Sequence, residues 1–329
     1  MNYSFLALIL TFISIQLNAQ KKTIGKLVSI DSNFNAIIEP GTDIEVLGEG
    51  FSWTEGPVWV KDGGYLLFSD VKKNTIFKYS EKGGIVPFLI PSGYTGVPPY
   101  SEEPGSNGLL INKNGELVLC EHGDRRLSVM PLKAGGKRTL TDKYKGIRFN
   151  SPNDVIQKTN GDYYFTDPAY GLPKDSLREG RRMAIYRLQS GGELSLCAEG
   201  ITPNGLAFST DEKILYVAQS LRKPAVIFAF DMNDKGMPVN RRVFFDATAM
   251  YAEGLMGSLD GLKVDKDGNL FASGPGGILV ITPTGKLLGR IDTGQPTSNC
   301  AWGEDGSVLY ITANTYLCRI KTKTKGAGY

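Results

Sequence analysis

Histidine is almost missing from this chain: His122 is the single one among 329 residues. Cysteine is scarce too, with Cys120, Cys197, Cys300 and Cys318 spread far apart. Zinc sites built from imidazole and thiolate need such residues in close pairs, so that class is excluded. The same scatter is no dense disulfide framework. The thiols read as readily as small buried apolar groups, and the sequence leaves their redox state open. Charge excess is lacking: 37 basic against 34 acidic residues leave +3, too little to argue for nucleic acid or an anionic membrane surface. Helical periodicity is absent almost everywhere. A long apolar run occurs only at the start, in MNYSFLALILTFISIQLNAQ. Phe5 to Ile15 has the length of a signal-peptide core and is too short to span a bilayer comfortably. Leu17-Asn18-Ala19 then offers a small-residue cleavage site. No Lys or Arg precedes the core, and no Cys follows it to carry a lipid anchor. The expectation is export to the periplasm or beyond, with residues 1–19 removed and no membrane contact afterwards.

Glycine is abundant, 40 residues, roughly 12% against ~7% in an average protein. It is spread along the chain, which points to many turns. Six stretches repeat one design: GPVWVKDGGYLLFSD (56–70), NGLLINKNGELVLCE (107–121), NDVIQKTNGDYYFTD (153–167), NGLAFSTDEKILYVA (204–218), DGLKVDKDGNLFASG (260–274) and NCAWGEDGSVLYITA (299–313). Each is an apolar run, a polar turn and a second alternating run, which is a β-hairpin. Third strand-like runs such as TIFKYS, AIYRL and VIFAFD follow several of them. Six units of about four strands use up the chain. The predicted fold is all-β, a single six-bladed β-propeller over 37–329, with 20–36 as an N-terminal extension. The segment IIEPGTDIEVLGEG (37–50) is predicted to supply the outer strand of the last blade, because an open ring would leave a sheet edge unpaired. Two long inserts, 91–106 and 167–182, read as functional loops.

The innermost strands of a propeller line its channel, so equivalent positions form a ring. Here that ring is Glu55, Asn107, Asn153, Asn204, Asp260 and Asn299, all oxygen-bearing. Asn-Gly and Asp-Gly are common turn formers, yet these pairs open strands, while the hairpin tips have turn residues of their own. Two carboxylates and several amide carbonyls facing one axis suit a hard divalent cation. Without one, two facing buried acids would hold a proton. One divalent cation is expected, Ca2+ first, with Mg2+, Mn2+ or Zn2+ as alternatives.

The motifs TEGPVW, CEHGDRR, NSPNDV, FTDPAYG, PNGLAFS, DGLKVDKDGNLFASGPGGILV and NCAW occur in order across residues 40–321. In this they resemble the SMP-30/gluconolactonase/LRE-like (SGL, regucalcin-like) hydrolases, gluconolactonase-type branch. That family is similar in fold and metal site to paraoxonases and diisopropyl fluorophosphatase. The resemblance implies a catalytic divalent cation on the axis. It places the family's glutamate on Glu55, its two asparagines on Asn153 and Asn204, and its catalytic aspartate on Asp260. The intact set argues against the metal-free strictosidine synthase branch. The expected reaction is hydrolytic opening of a small sugar lactone, with Asp260 as general base and Glu55 holding the ion. Asn107, His122, Arg148 and Tyr170 are expected to meet substrate, and Asn299 to be structural. Two other readings stay open. One is a phosphotriesterase- or aryl-esterase-like hydrolase on the same site. The other is a non-catalytic, calcium-stabilised binding propeller.

Overall fold

A computed structural model describes residues 21–133, 135–173 and 182–329. The expected signal segment, 1–19, lies outside the described residues, as does half of the second insert, 174–181. Six antiparallel sheets stand around one axis, each meandering outward from its innermost strand. Blade one is Thr54–Val60, Tyr65–Asp70, Thr75–Ser80 and Gly84–Leu89. Blade two is Ser106–Ile111, Leu117–Glu121, Arg126–Met130 and Arg138–Thr141. Blade three runs from Val155–Gln157 through Tyr163–Asp167 and Ala184–Leu188 to Leu194–Glu199. Blade four is Pro203–Phe208, Ile214–Gln219, Val226–Met232 and Pro238–Asp246. Blade five is Leu262–Val264, Leu270–Gly274, Gly277–Ile281 and Leu287–Asp292. Blade six has Thr297–Gly303, Val308–Ala313 and Tyr316–Lys321. The hairpin tips turn where their polar residues predict; Gly115, for instance, adopts φ 75°, which favours glycine.

The ring closes as expected. Glu45–Glu49 pairs antiparallel with Tyr316–Lys321, so the last blade takes its outer strand from the N-terminal side. The segment expected as an extension is part of the same architecture: Lys26–Ser29 adds a fifth strand to blade five, against Leu287–Asp292. Apolar faces pack between blades. Trp59 of blade one stacks on Tyr310 of blade six at 5.5 Å between centroids. Phe271 of blade five meets Trp302 of blade six edge-on at 4.8 Å. Such pairs add to plain area burial.

Around the axis the innermost strands touch backbone to backbone. The Gly108 N–H donates to the Asn153 carbonyl at 2.7 Å, Gly205 to Asp260 at 3.2 Å, and Gly261 to Ser298 at 2.8 Å. The Ser69 hydroxyl donates to the Asn107 carbonyl and that of Ser298 to the Thr54 carbonyl, linking blades one to two and six to one. This is why glycine follows the ring residue in four blades. A Cβ on Gly205 would lie 2.2 Å from the Asp260 carbonyl oxygen, and one on Gly261 2.0 Å from Asn299 Cγ. The dipeptides are contact points between blades rather than turns. Gly205→Ala is therefore expected to destabilise the protein by about 1–3 kcal/mol through overpacking, read from the denaturant midpoint.

Candidate functional site

Four ring residues sit where their strand is disturbed, while Asn153 and Asp260 lie just ahead of theirs. Pairing of the first two strands shifts register between Glu55 and Val58, between Ser106 and Leu109, between Pro203 and Leu206, and between Thr297 and Asn299. Such bulges re-aim a side chain, here toward the axis. The approach to the ring is clamped from the end of the second strand. Asp70 accepts the N–H groups of Ser52 and Trp53 at 2.9 and 3.2 Å, just ahead of Glu55. Asp167 accepts those of Asn150 and Ser151 at 2.9 and 2.8 Å, just ahead of Asn153.

Three amides form a continuous arc. Asn107 Nδ2 donates to Asn153 Oδ1 at 3.0 Å, and Asn153 Nδ2 to Asn204 Oδ1 at 2.6 Å. The two carboxylates complete the circle. Glu55 is buried, and the Gly56 N–H donates to its Oε2 at 3.1 Å. Asp260 is half-buried as a residue, but its Oδ1 is closed off from solvent with no hydrogen-bond partner. Burial raises both acids. Glu55 is pushed up to about 8, with the Asp154 and Glu103 charges adding to burial and the Gly56 N–H opposing. Asp260 rises well above the carboxylate range, through burial and then Glu55, with Asn204 opposing.

Two amides, two carboxylates and an orphaned carboxylate oxygen on one axis fit a hard cation, as the oxygen-only donor set requires. Glu55, Asn153, Asn204 and Asp260 would hold it. Among the described residues no group of three or more His, Cys, Asp or Glu side chains converges as a ligand set. Half of the oxygen set found here is amide.

The other expected residues divide. Asn107 belongs to the amide arc. His122 is fully buried beside it, its Nδ1 facing the Glu103 carbonyl at 3.3 Å and its Nε2 without a partner. Burial lowers it to about 4, against the Glu103 carbonyl and the Asn153 side chain, so it is neutral at pH 7. The Tyr170 hydroxyl lies among Ser220, Asn204 and Asp260, and burial raises its pKa above the usual phenol range. Arg148 is placed elsewhere, on the exposed hairpin Lys143–Tyr144/Ile147–Arg148, where Nη2 donates to the Asp124 carbonyl at 2.8 Å. Asn299 accepts from the Cys300 N–H and from Lys263 Nζ, at 2.9 and 3.3 Å, outside the amide arc.

Four groups went unread in the sequence: Asp154, Glu103, Lys263 and Ser220. Asp154 had a signal, because NDV breaks the Asn-Gly pattern of its neighbours. It is buried, Oδ1 accepts the Val155 N–H, and Oδ2 has no partner. Burial raises it, and Lys263 opposes. A groove of about 460 Å3, lined by Lys21, Asp43, Glu81 and Arg319 among others, lies on the outer side of blade six, away from these groups.

A carboxyl whose folded pKa is raised stabilises the fold most below its unfolded pKa, and loses that contribution as pH rises through the folded value. Metal-free protein is therefore expected to lose stability from about pH 5 to pH 8. Glu55→Gln should flatten that slope in denaturant unfolding with EDTA present.

Known proteins resemble this chain in sequence and fold. A gluconolactonase of Zymomonas mobilis subsp. mobilis is 40% identical over 318 residues, which is 94% of this chain and 89% of that protein. A pentonolactonase of Haloferax volcanii is 26% identical over 267 residues, 78% of this chain and 80% of its own. Among solved structures, a gluconolactonase from Xanthomonas campestris has a TM-score of 0.81 at 30% identity, covering 92% of this chain and 96% of that one. Residues 53–315 match the family model of the SMP-30/gluconolactonase/LRE-like region, and the chain belongs to that family.

Proposed function

We propose that this protein is a lactonase that opens a small sugar lactone by hydrolysis, with Asp260 as the general base. The observation that carries the reading is the Asp260 carboxylate on the axis, its Oδ1 unpartnered, between Glu55 and Asn204. A divalent cation held by Glu55, Asn153, Asn204 and Asp260, Ca2+ by the chemistry of the oxygens, would polarise the lactone carbonyl and keep both carboxylates ionised. The rest is the work of the chain. Asp260 takes a proton from water as its oxygen bonds to the carbonyl carbon. The ring C–O bond then breaks, and the leaving oxygen takes a proton to become the hydroxyl of the product hydroxy acid. The Tyr170 hydroxyl beside Asn204 and the neutral His122 beside Asn153 would meet the substrate's polar groups. An ion of charge two balanced by Glu55 and Asp260 leaves a site suited to a neutral substrate.

Asp260→Asn is expected to lower kcat on glucono-1,5-lactone by about 10²–10⁴ while Ca2+ binding persists, since the amide keeps an oxygen. A parental rate in that variant would remove Asp260 as base. Activity should vanish in EDTA and return with Ca2+. The protein is further proposed to be exported, and the mass of the mature form should begin at Gln20.

A further inference from the structure

The amide arc does not stop at Asn204. Asn204 Nδ2 meets Ser220 Oγ at 2.8 Å, and Ser220 Oγ meets the Leu259 carbonyl oxygen at 2.5 Å. That last group belongs to the residue just before Asp260, and a backbone carbonyl can only accept. The Ser220 hydrogen is therefore committed to Leu259, and toward Asn204 the hydroxyl can only accept. Asn204 must then turn its NH2 to Ser220 and its oxygen to Asn153. Asn153 in turn must present NH2 to Asn204 and oxygen to Asn107. All three asparagines are buried, so water is not there to relax the choice.

We infer that Ser220 is a positioning residue that sets the direction of the whole amide arc, fixing the carbonyl oxygens of Asn153 and Asn204 as acceptors with a lone pair to spare. It touches neither substrate nor reacting atoms in this role. The Ser220 backbone is itself held, its N–H donating to the Thr202 carbonyl at 3.2 Å, so the hydroxyl has a fixed origin. The Tyr170 hydroxyl lies against the same Ser220–Asn204 pair and can use the remaining lone pair of Oγ. The arc is directional: Asn107 is its free end and Ser220 its anchor. Removing either costs one hydrogen bond, but loss of Ser220 takes away the fixed acceptor of the Asn204 NH2 and leaves Asp260 and Tyr170 to face it.

The metal part of the test rests on the proposed cation site; the amide part does not. Metal-free protein with 15N-labelled asparagine side chains would be followed by NMR. In Ser220→Ala the NH2 groups of Asn204 and Asn153 should exchange with solvent faster than in the parent, Ser220→Thr should restore the parental rates, and Asn107→Ala should leave Asn204 protected. Titration with Ca2+ should show affinity about tenfold weaker in Ser220→Ala, as loss of an outer orienting partner does, and near-parental in Ser220→Thr. Unchanged amide exchange in Ser220→Ala overturns the inference. If Ser220→Ala does not fold, Asn107→Ala decides: faster exchange at Asn204 than in the parent would overturn the inference. If the parent binds no Ca2+, the cation reading fails alone, and the exchange data still judge Ser220.

Discussion

Six sheets sharing one axis must bring their innermost strands into backbone contact, and much of this molecule answers to that constraint. The strands cannot approach with side chains between them, so Gly56, Gly108, Gly205 and Gly261 leave the space open. The N–H groups of Gly108, Gly205 and Gly261 then bond carbonyls of the next blade. Beside these contacts the strands bulge at Glu55, Asn107, Asn204 and Asn299. Apolar side chains cannot be used there without closing the channel, and aromatic pairs such as Phe271 with Trp302 fill the wedges between blades instead.

The result is a buried polar centre inside an apolar ring, which is unfavourable unless every group finds a partner. The amides find one another. The acids do so only in part: Asp154 and Asp260 each keep one oxygen without a partner, and Glu55, Asp154 and Asp260 all hold raised pKa values because burial disfavours their charge. A low-dielectric centre with uncompensated carboxylates is a stable arrangement for the protonated forms and a strong attractor for a cation. Function and folding thus pull on the same residues, as perturbed acids in a channel commonly indicate.

The blade repeat was legible because a strand has a period of two and each unit restarts from one polar position. That anchoring carried the ring residues Glu55, Asn107, Asn153, Asn204, Asp260 and Asn299 without knowledge of any loop. It also carried the closing strand Glu45–Glu49, because an unpaired edge demands a partner. What stayed unread lies where no period acts. Glu103 sits in the first insert, and Ser220 follows the last residue of a strand. Its nearness to Asn204 comes from the pairing of Pro203 with Gln219, a register set by a bulge that composition does not announce. Arg148 lies on a short exposed hairpin that no blade repeat announces, its guanidinium donating to the Asp124 carbonyl.

The closing strand has a consequence for how the protein comes into being. Glu45 pairs with Arg319, residues 274 apart in the chain. A polypeptide made from its N-terminus presents Glu45–Glu49 long before Tyr316–Lys321 exists. During that interval the molecule is an open arc with two raw sheet edges, and any second arc nearby offers the same pairing. The strand that waits is only five residues long and carries Glu45 and Glu49 at its ends. Short length and like charge discourage two waiting strands from joining each other, while Arg319 on the awaited strand welcomes Glu45. The chemistry of that short strand thus favours a newborn chain closing on itself over linking with its neighbours.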